Sequence, residues 1–117
     1  MDKSDKLQLF QEQKIRTHWN ETEEKWYFSV IDIVEILTDS SNPRDYWYRV
    51  KKRLGNEEKA ELSTICRQLK MQASDGKMRI TDCANSEGIF RIIQSIPSPK
   101  IEPFKRWLAK VLLSYCQ

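Results

Sequence analysis

Arg44, Tyr48, Lys51 and Lys52 stand at i, i+4, i+7 and i+8 within the stretch SNPRDYWYRVKKRL, residues 41–54. On a helix turning about 100° per residue these four fall on one stripe. Trp47, Val50 and Leu54 cluster on another, with Tyr46 at its edge, as a core contact would require. Lysine and arginine at such spacing neutralise phosphates, and an outward tyrosine donates to a phosphate or stacks on a base. Asp45 and Arg49 are i, i+4 neighbours and are placed to pair with each other. A core helix with a solvated basic face has the same pattern, so the surrounding segments must decide whether the stripe faces a polyanion.

A second basic surface is expected on the segment from Ile65 to Asp82. A two-residue turn at Asp75-Gly76 would set Ala73 opposite Met78 and Met71 opposite Ile80, a hairpin with one apolar, buried face. Its other face would carry Gln68, Lys70, Gln72, Lys77 and Arg79. A helix and a β-ribbon together are a known means of gripping duplex DNA. Charge is distributed accordingly along a chain of net charge +3: residues 42–79 hold 10 Lys/Arg against 5 Asp/Glu, whereas residues 1–41 hold 5 against 9. The basic surplus is local, as a polyanion-binding patch requires.

Other chemistries find less support. His18 is the only histidine and has no serine or cysteine pattern beside it. Asp32, Glu35 and Asp39 read as the solvated face of a helix. Cys66, Cys83 and Cys116 are odd in number and widely spaced, with no CxxC and no histidine at ligand distance in sequence, which argues against a zinc site. Three glycines cannot build a glycine-rich phosphate loop. No enzyme, cofactor or metal is therefore expected. No apolar run reaches the roughly 20 residues that span a bilayer, and the charged start MDKSDK has no apolar stretch behind it. A cytoplasmic protein with reduced thiols is the expectation.

The elements that must position these residues follow from periodicity. KIRTHW and KWYFSV around NETEEK predict a first hairpin. Val30, Ile33, Val34 and Leu37 predict a helix capped by Ser29, and Asn42-Pro43 opens the next, which Gly55-Asn56 closes. NEEKAEL reads as an exposed linker. Ile89, Ile92, Ile93 and Ile96 mark a third helix, and Phe104, Leu108, Val111 and Tyr115 a fourth that starts near residue 100 after the proline-rich break. The expectation is one small α+β domain in the order ββααββαα, two hairpins packed with about four helices, over residues 13–117 behind an N-terminal segment of residues 1–12.

The stretches WYFSVIDIVEIL, NPRDYWYRVKKR and DGKMRITDCANSEGIFRIIQSIPSPKIEPFKRWLAKV closely resemble the N-terminal domain of the BRO family, over roughly residues 13 to 111. That domain occurs in baculovirus repeated-ORF proteins, phage antirepressors and prophage-derived or DNA-damage-inducible-D-like proteins. The resemblance implies a DNA-binding domain without catalytic activity, in transcriptional regulation of a prophage. It also implies a chain that is naturally truncated, stand-alone or excised, since longer relatives continue where this one reads LLSYCQ and stops. From the helix and hairpin arguments the expected DNA contacts are Arg44, Tyr48, Lys51, Lys52, Lys70, Lys77 and Arg79, mostly to phosphates, with Arg44 as base reader. The alternative is a protein-interaction module that captures a phage repressor or self-associates as a homodimer, without direct DNA contact, with the terminal VLLSY as its apolar patch.

Overall fold

Alternating apolar residues in KIRTHW and KWYFS produce the expected first hairpin. In the computed structural model, which describes residues 5–53 and 55–115, β2 (Gln13–Asn20) pairs antiparallel with β3 (Lys25–Ser29), Thr17 opposite Phe28 and Trp19 opposite Trp26. A strand that the sequence reading did not place, β1 (Asp5–Phe10), precedes them and pairs with β2. The reversal between β1 and β2 uses Gln11 and Glu12, both at positive φ (49° and 68°), as a two-residue hairpin turn demands. Phe10 is buried edge-on against Phe104 and Trp107, with ring centroids 5.3 and 5.6 Å away, so β1 is fastened to the C-terminal helix.

The chain then enters α1 (Val30–Thr38) directly from β3. Ser29 caps it, its hydroxyl accepting from the Asp32 N–H, and Val30, Ile33, Val34 and Leu37 are all buried as their spacing predicts. At the other end Asp39 takes the left-handed conformation (φ 54°) and donates its N–H to Glu35 O. Two side chains from far along the sequence complete that terminus. Ser98 Oγ donates to Leu37 O at 2.6 Å, and Lys100 Nζ donates to Ile36 O at 3.1 Å while pairing with Asp39. They satisfy carbonyls that a helix end otherwise leaves open.

Next come α2 (Pro43–Arg53) and α3 (Asn56–Ile65). The second of these corrects the expectation of a linker at NEEKAEL: the segment is the first two turns of a helix running straight into β4 (Cys66–Gln72). β5 (Met78–Asn85) pairs antiparallel with both β4 and β3, so the two hairpins join in one five-stranded sheet ordered β1-β2-β3-β5-β4. α4 (Ser86–Ile93) follows, capped by Asn85, and α5 (Ile101–Tyr115) closes the described chain. The α+β class and the order ββααββαα hold, with β1 and α3 added.

The second hairpin departs from its expected register. The turn holds three residues, Ser74-Asp75-Gly76: Ala73 N–H donates to Lys77 O, Gly76 N–H donates to Ala73 O, and Gly76 sits at φ 84°. This is a hairpin loop with glycine in the left-handed position. Met71 therefore stands opposite Arg79 and Lys70 opposite Ile80. Directly opposed residues share a face, so Met71 joins Cys83 and Tyr27 in a small buried cluster on one side of the sheet. The main core forms on the other side, where Ile15, Phe28 and Ala84 meet Ile33, Trp47, Ile89, Phe104 and their neighbours from the helices. Leu54, expected in this core, lies outside the described residues, as does the side chain of Tyr115.

Candidate nucleic-acid interface

Asn42 Oδ1 accepts from the Asp45 N–H at 3.2 Å and Pro43 occupies the first turn, so α2 begins where its cap and proline place it. Its inward face is as expected, with Trp47 only 2% exposed and Val50 buried beside it. One carboxylate on β5 then fixes the helix to the sheet. Asp82 Oδ2 accepts from Trp47 Nε1 at 2.7 Å and from Lys51 Nζ at 2.9 Å, and Gln68 Nε2 lies 3.4 Å from Oδ1. Burial works to raise the Asp82 carboxyl, but hydrogen bonds from Lys51 and Trp47 outweigh it and hold the group below its ordinary value. Lys51 also rests 5.4 Å from the Trp47 ring. Its charge is therefore compensated within the fold, and Lys51 is a tie between helix and sheet.

The outward face carries uncompensated charge. Arg44 is exposed on the first turn, Tyr48 is 52% exposed, and the Lys52 ammonium lies 4.8 Å over the Tyr48 ring. Asp45 and Arg49 pair at 3.1 Å, as their spacing predicts. Among the described residues Arg44, Lys52 and Arg53 have no carboxylate partner, and neither has Lys59 of α3. Lys59 and Leu62 were missed by treating their segment as a linker. The signal was present: Lys59, Leu62, Ser63 and Cys66 stand at i, i+3, i+4 and i+7. These residues form the far wall of a groove of about 490 Å³ between α2, α3 and the second hairpin, with Tyr48 and Lys52 on the near wall.

The hairpin's cations do not share a single face. Lys70 projects on the side of Gln68 and Asp82, toward the groove, with no carboxylate partner among the described residues. Lys77 and Arg79 alternate onto the opposite side, where Arg79 pairs with Asp75 at 2.5 Å. The one-residue change of register also leaves Met78 and Ile80, expected to be buried, 56% and 59% exposed on the groove side. On the far side three cations are compensated, Arg16 by Asp32, Arg67 by Glu23 and Arg79 by Asp75, while Lys14, Lys25 and Lys77 have no carboxylate partner among the described residues. Beside the groove, unpaired positive charge comes from α2, from Lys59 of α3 and from Lys70.

The remaining candidates take structural places. Asp32, read as solvated, accepts from Arg16 Nε at 2.8 Å and from the Arg16 N–H at 2.9 Å, which ties α1 to β2. Asp39 meets Lys100, and His18 sits in β2 opposite Tyr27. Burial pushes the Cys66 thiol up to about 11 and the Cys83 thiol up to about 12, so both are protonated at neutral pH and poor nucleophiles. Among the described residues no group of three His, Cys, Asp or Glu is placed to hold a metal ion, and no helix is long and apolar enough to cross a membrane.

Comparison with known proteins agrees with this architecture at the level of the family. No curated protein and no solved structure matches the chain. The family model described as the BRO family, N-terminal domain, matches residues 14–114. That match covers every element from β2 to α5, including both sides of the groove, and the chain belongs to the BRO family through its N-terminal domain.

Proposed function

We propose that this BRO-family domain binds duplex DNA without catalysis, as the DNA-binding part of an antirepressor-like transcriptional regulator of phage or prophage origin acting in the cytoplasm. The observation that carries the reading is a set of unpaired cations beside a groove lined by an exposed tyrosine. Lys52 and Lys59 line the groove, Arg44 and Arg53 lie on the same helix as Lys52, and Lys70 is on the groove side of the hairpin; none of the five has a carboxylate partner among the described residues. Arg44, Lys52, Lys59 and Lys70 are assigned to phosphates, and Arg44 at the helix N-terminus is also the one best placed to reach a base edge. Tyr48 contacts backbone or base. Lys51 acts indirectly, by holding the helix on Asp82. Lys77 and Arg79 would meet DNA only around the tip of the ribbon, so their joint replacement by alanine is expected to weaken binding far less than replacement of Arg44 and Lys52.

A gel shift on random-sequence duplex at two salt concentrations tests this. Four phosphate contacts at a slope of about 0.9 each predict roughly 150-fold weaker binding at 200 mM than at 50 mM salt. Failure to bind at both concentrations would contradict the reading. A second reading, a protein-interaction module for a phage repressor or another copy of the chain, draws on the exposed Met78 and Ile80 and on the exposed Leu113 near the end of α5. It predicts no salt-dependent duplex binding by the wild-type chain, and loss of repressor capture or dimerisation in Leu113→Glu.

A further inference from the structure

The groove contains more than a phosphate-binding rim. It is lined from α2 by the exposed ring of Tyr48, from α3 by the aliphatic side chain of Leu62, and by the buried Trp47 together with Asp82 and Gln68. The volume of about 490 Å³ lies within the roughly 300–1,000 Å³ that small organic ligands occupy. Asp82 Oδ2 is taken by Trp47 and Lys51, but Oδ1 has only the long 3.4 Å contact from Gln68. An acceptor oxygen and a carboxamide therefore stand at the floor between apolar walls. Lys52 of α2 and Lys59 of α3 line it as well, and neither ammonium has a carboxylate partner among the described residues.

A smooth duplex backbone uses the two lysines but has nothing to insert between Tyr48 and Leu62. A flat heteroaromatic ring carrying a phosphate on each side uses all of it: walls to stack on, floor acceptors for an exocyclic amine, and a cation for each flanking phosphate. Resting on the reading of α2 as a DNA contact, we propose that the groove takes one unstacked base of a nucleic-acid strand, with its flanking phosphates on Lys52 and Lys59. The acceptors at the floor favour bases with an exocyclic amine, so thymine, which has none, is the weakest occupant. An unpaired base costs little to extrude, so the domain discriminates in favour of duplex containing one.

The experiment compares labelled duplexes that are fully paired, or that carry one bulged cytosine or one bulged thymine, by fluorescence anisotropy against the whole chain. Stacking of one base predicts about tenfold tighter binding of the cytosine bulge than of the paired duplex, with the thymine bulge in between. Tyr48→Ala, at an exposed position, brings the ratio of bulged-cytosine to paired-duplex affinity down to about one, and Tyr48→Phe keeps the wild-type ratio. Equal affinity for all three duplexes, with strong salt dependence retained, overturns the base pocket and leaves duplex binding intact. No binding to any duplex at low salt overturns both. Saturation by cytidine monophosphate at micromolar concentration, blocked by Tyr48→Ala and without preference for the bulge, overturns the strand as the source of the base and points to a free nucleotide.

Discussion

Asp82 links the stability of the domain to the charge it presents, and the two can be separated by substitution. In Asp82→Ala, Trp47 Nε1 loses its 2.7 Å acceptor in a side chain that is 2% exposed. An unsatisfied buried donor costs about 1–3 kcal/mol. The Lys51 pair adds little, because its ammonium is 40% exposed along the side chain and can turn to water. A loss of about 2–3 kcal/mol follows, which at an m-value of about 1.5 kcal/mol/M moves the urea midpoint down by roughly 1.7 M. Asp82→Asn keeps an acceptor for Trp47 and forfeits only the charge-assisted part, so it costs about 1 kcal/mol. It also leaves Lys51 uncompensated beside the proposed DNA surface. One added phosphate contact steepens the salt slope by about 0.9 and tightens paired-duplex binding about fivefold at 0.15 M salt. The less stable variant is thus expected to bind more tightly. The stability gap between wild type and Asp82→Asn also depends on pH. The folded carboxyl lies below its ordinary value, so its contribution is complete above the unfolded value and is lost as pH falls through the folded one. The gap closes on acidification. A midpoint shift below about 0.3 M for Asp82→Ala, or an Asn variant that binds no more tightly than wild type, would refute this account of the helix–sheet tie.

Three further outcomes follow from the packing. A Cβ at Gly88 would lie 3.0 Å from Ala84 Cβ and 3.3 Å from Ile65 Cβ, where α4 crosses the sheet. Overpacking of about 1–3 kcal/mol exceeds the helix-propensity gain of about 1, so Gly88→Ala is expected to be net destabilising in urea. Lys100→Ala removes the donor to Ile36 O and the partner of Asp39, and should speed amide exchange in the last turn of α1 while leaving α4 unchanged. Cys83, fully buried with its thiol raised to about 12, should resist a water-soluble thiol reagent in the folded protein and react at the global unfolding rate; rapid labelling of Cys83 under native conditions would contradict the packing of the Tyr27–Met71 cluster.

Local features of the fold were legible where the signal is local. The spacing of Val30, Ile33, Val34 and Leu37, the Ser29 cap and the inward Trp47 and Val50 all follow from adjacent residues, and the structure has each of them. The turn at Asp75-Gly76 was legible but its length was not. A three-residue loop with glycine in the left-handed position and a two-residue loop share the same dipeptide, yet they differ by one residue in pairing. That single step moved Met78 and Ile80 to an exposed face and separated Lys70 from Arg79. α3 was hidden because its apolar residues are few. The ties that fix the site have no local signature, since Asp82 lies 35 residues from Trp47 and Lys100 lies 61 from Asp39. Which lysines remain free therefore depends on tertiary partners. Lys51 and Lys52, adjacent and chemically alike, end with different partners, the first on Asp82 and the second over the Tyr48 ring.

If α2 is the DNA-binding face of the domain, its free cations meet phosphates. The direct measurement is the slope of log Kobs against log salt on a paired duplex, for wild type and for Arg44→Ala combined with Lys52→Ala. Both side chains are exposed, so the double variant should fold as wild type does. Loss of two phosphate contacts predicts a slope shallower by about 1.8 and weaker binding at low salt. A folded double variant with the wild-type slope would remove α2 from the interface and contradict the central claim.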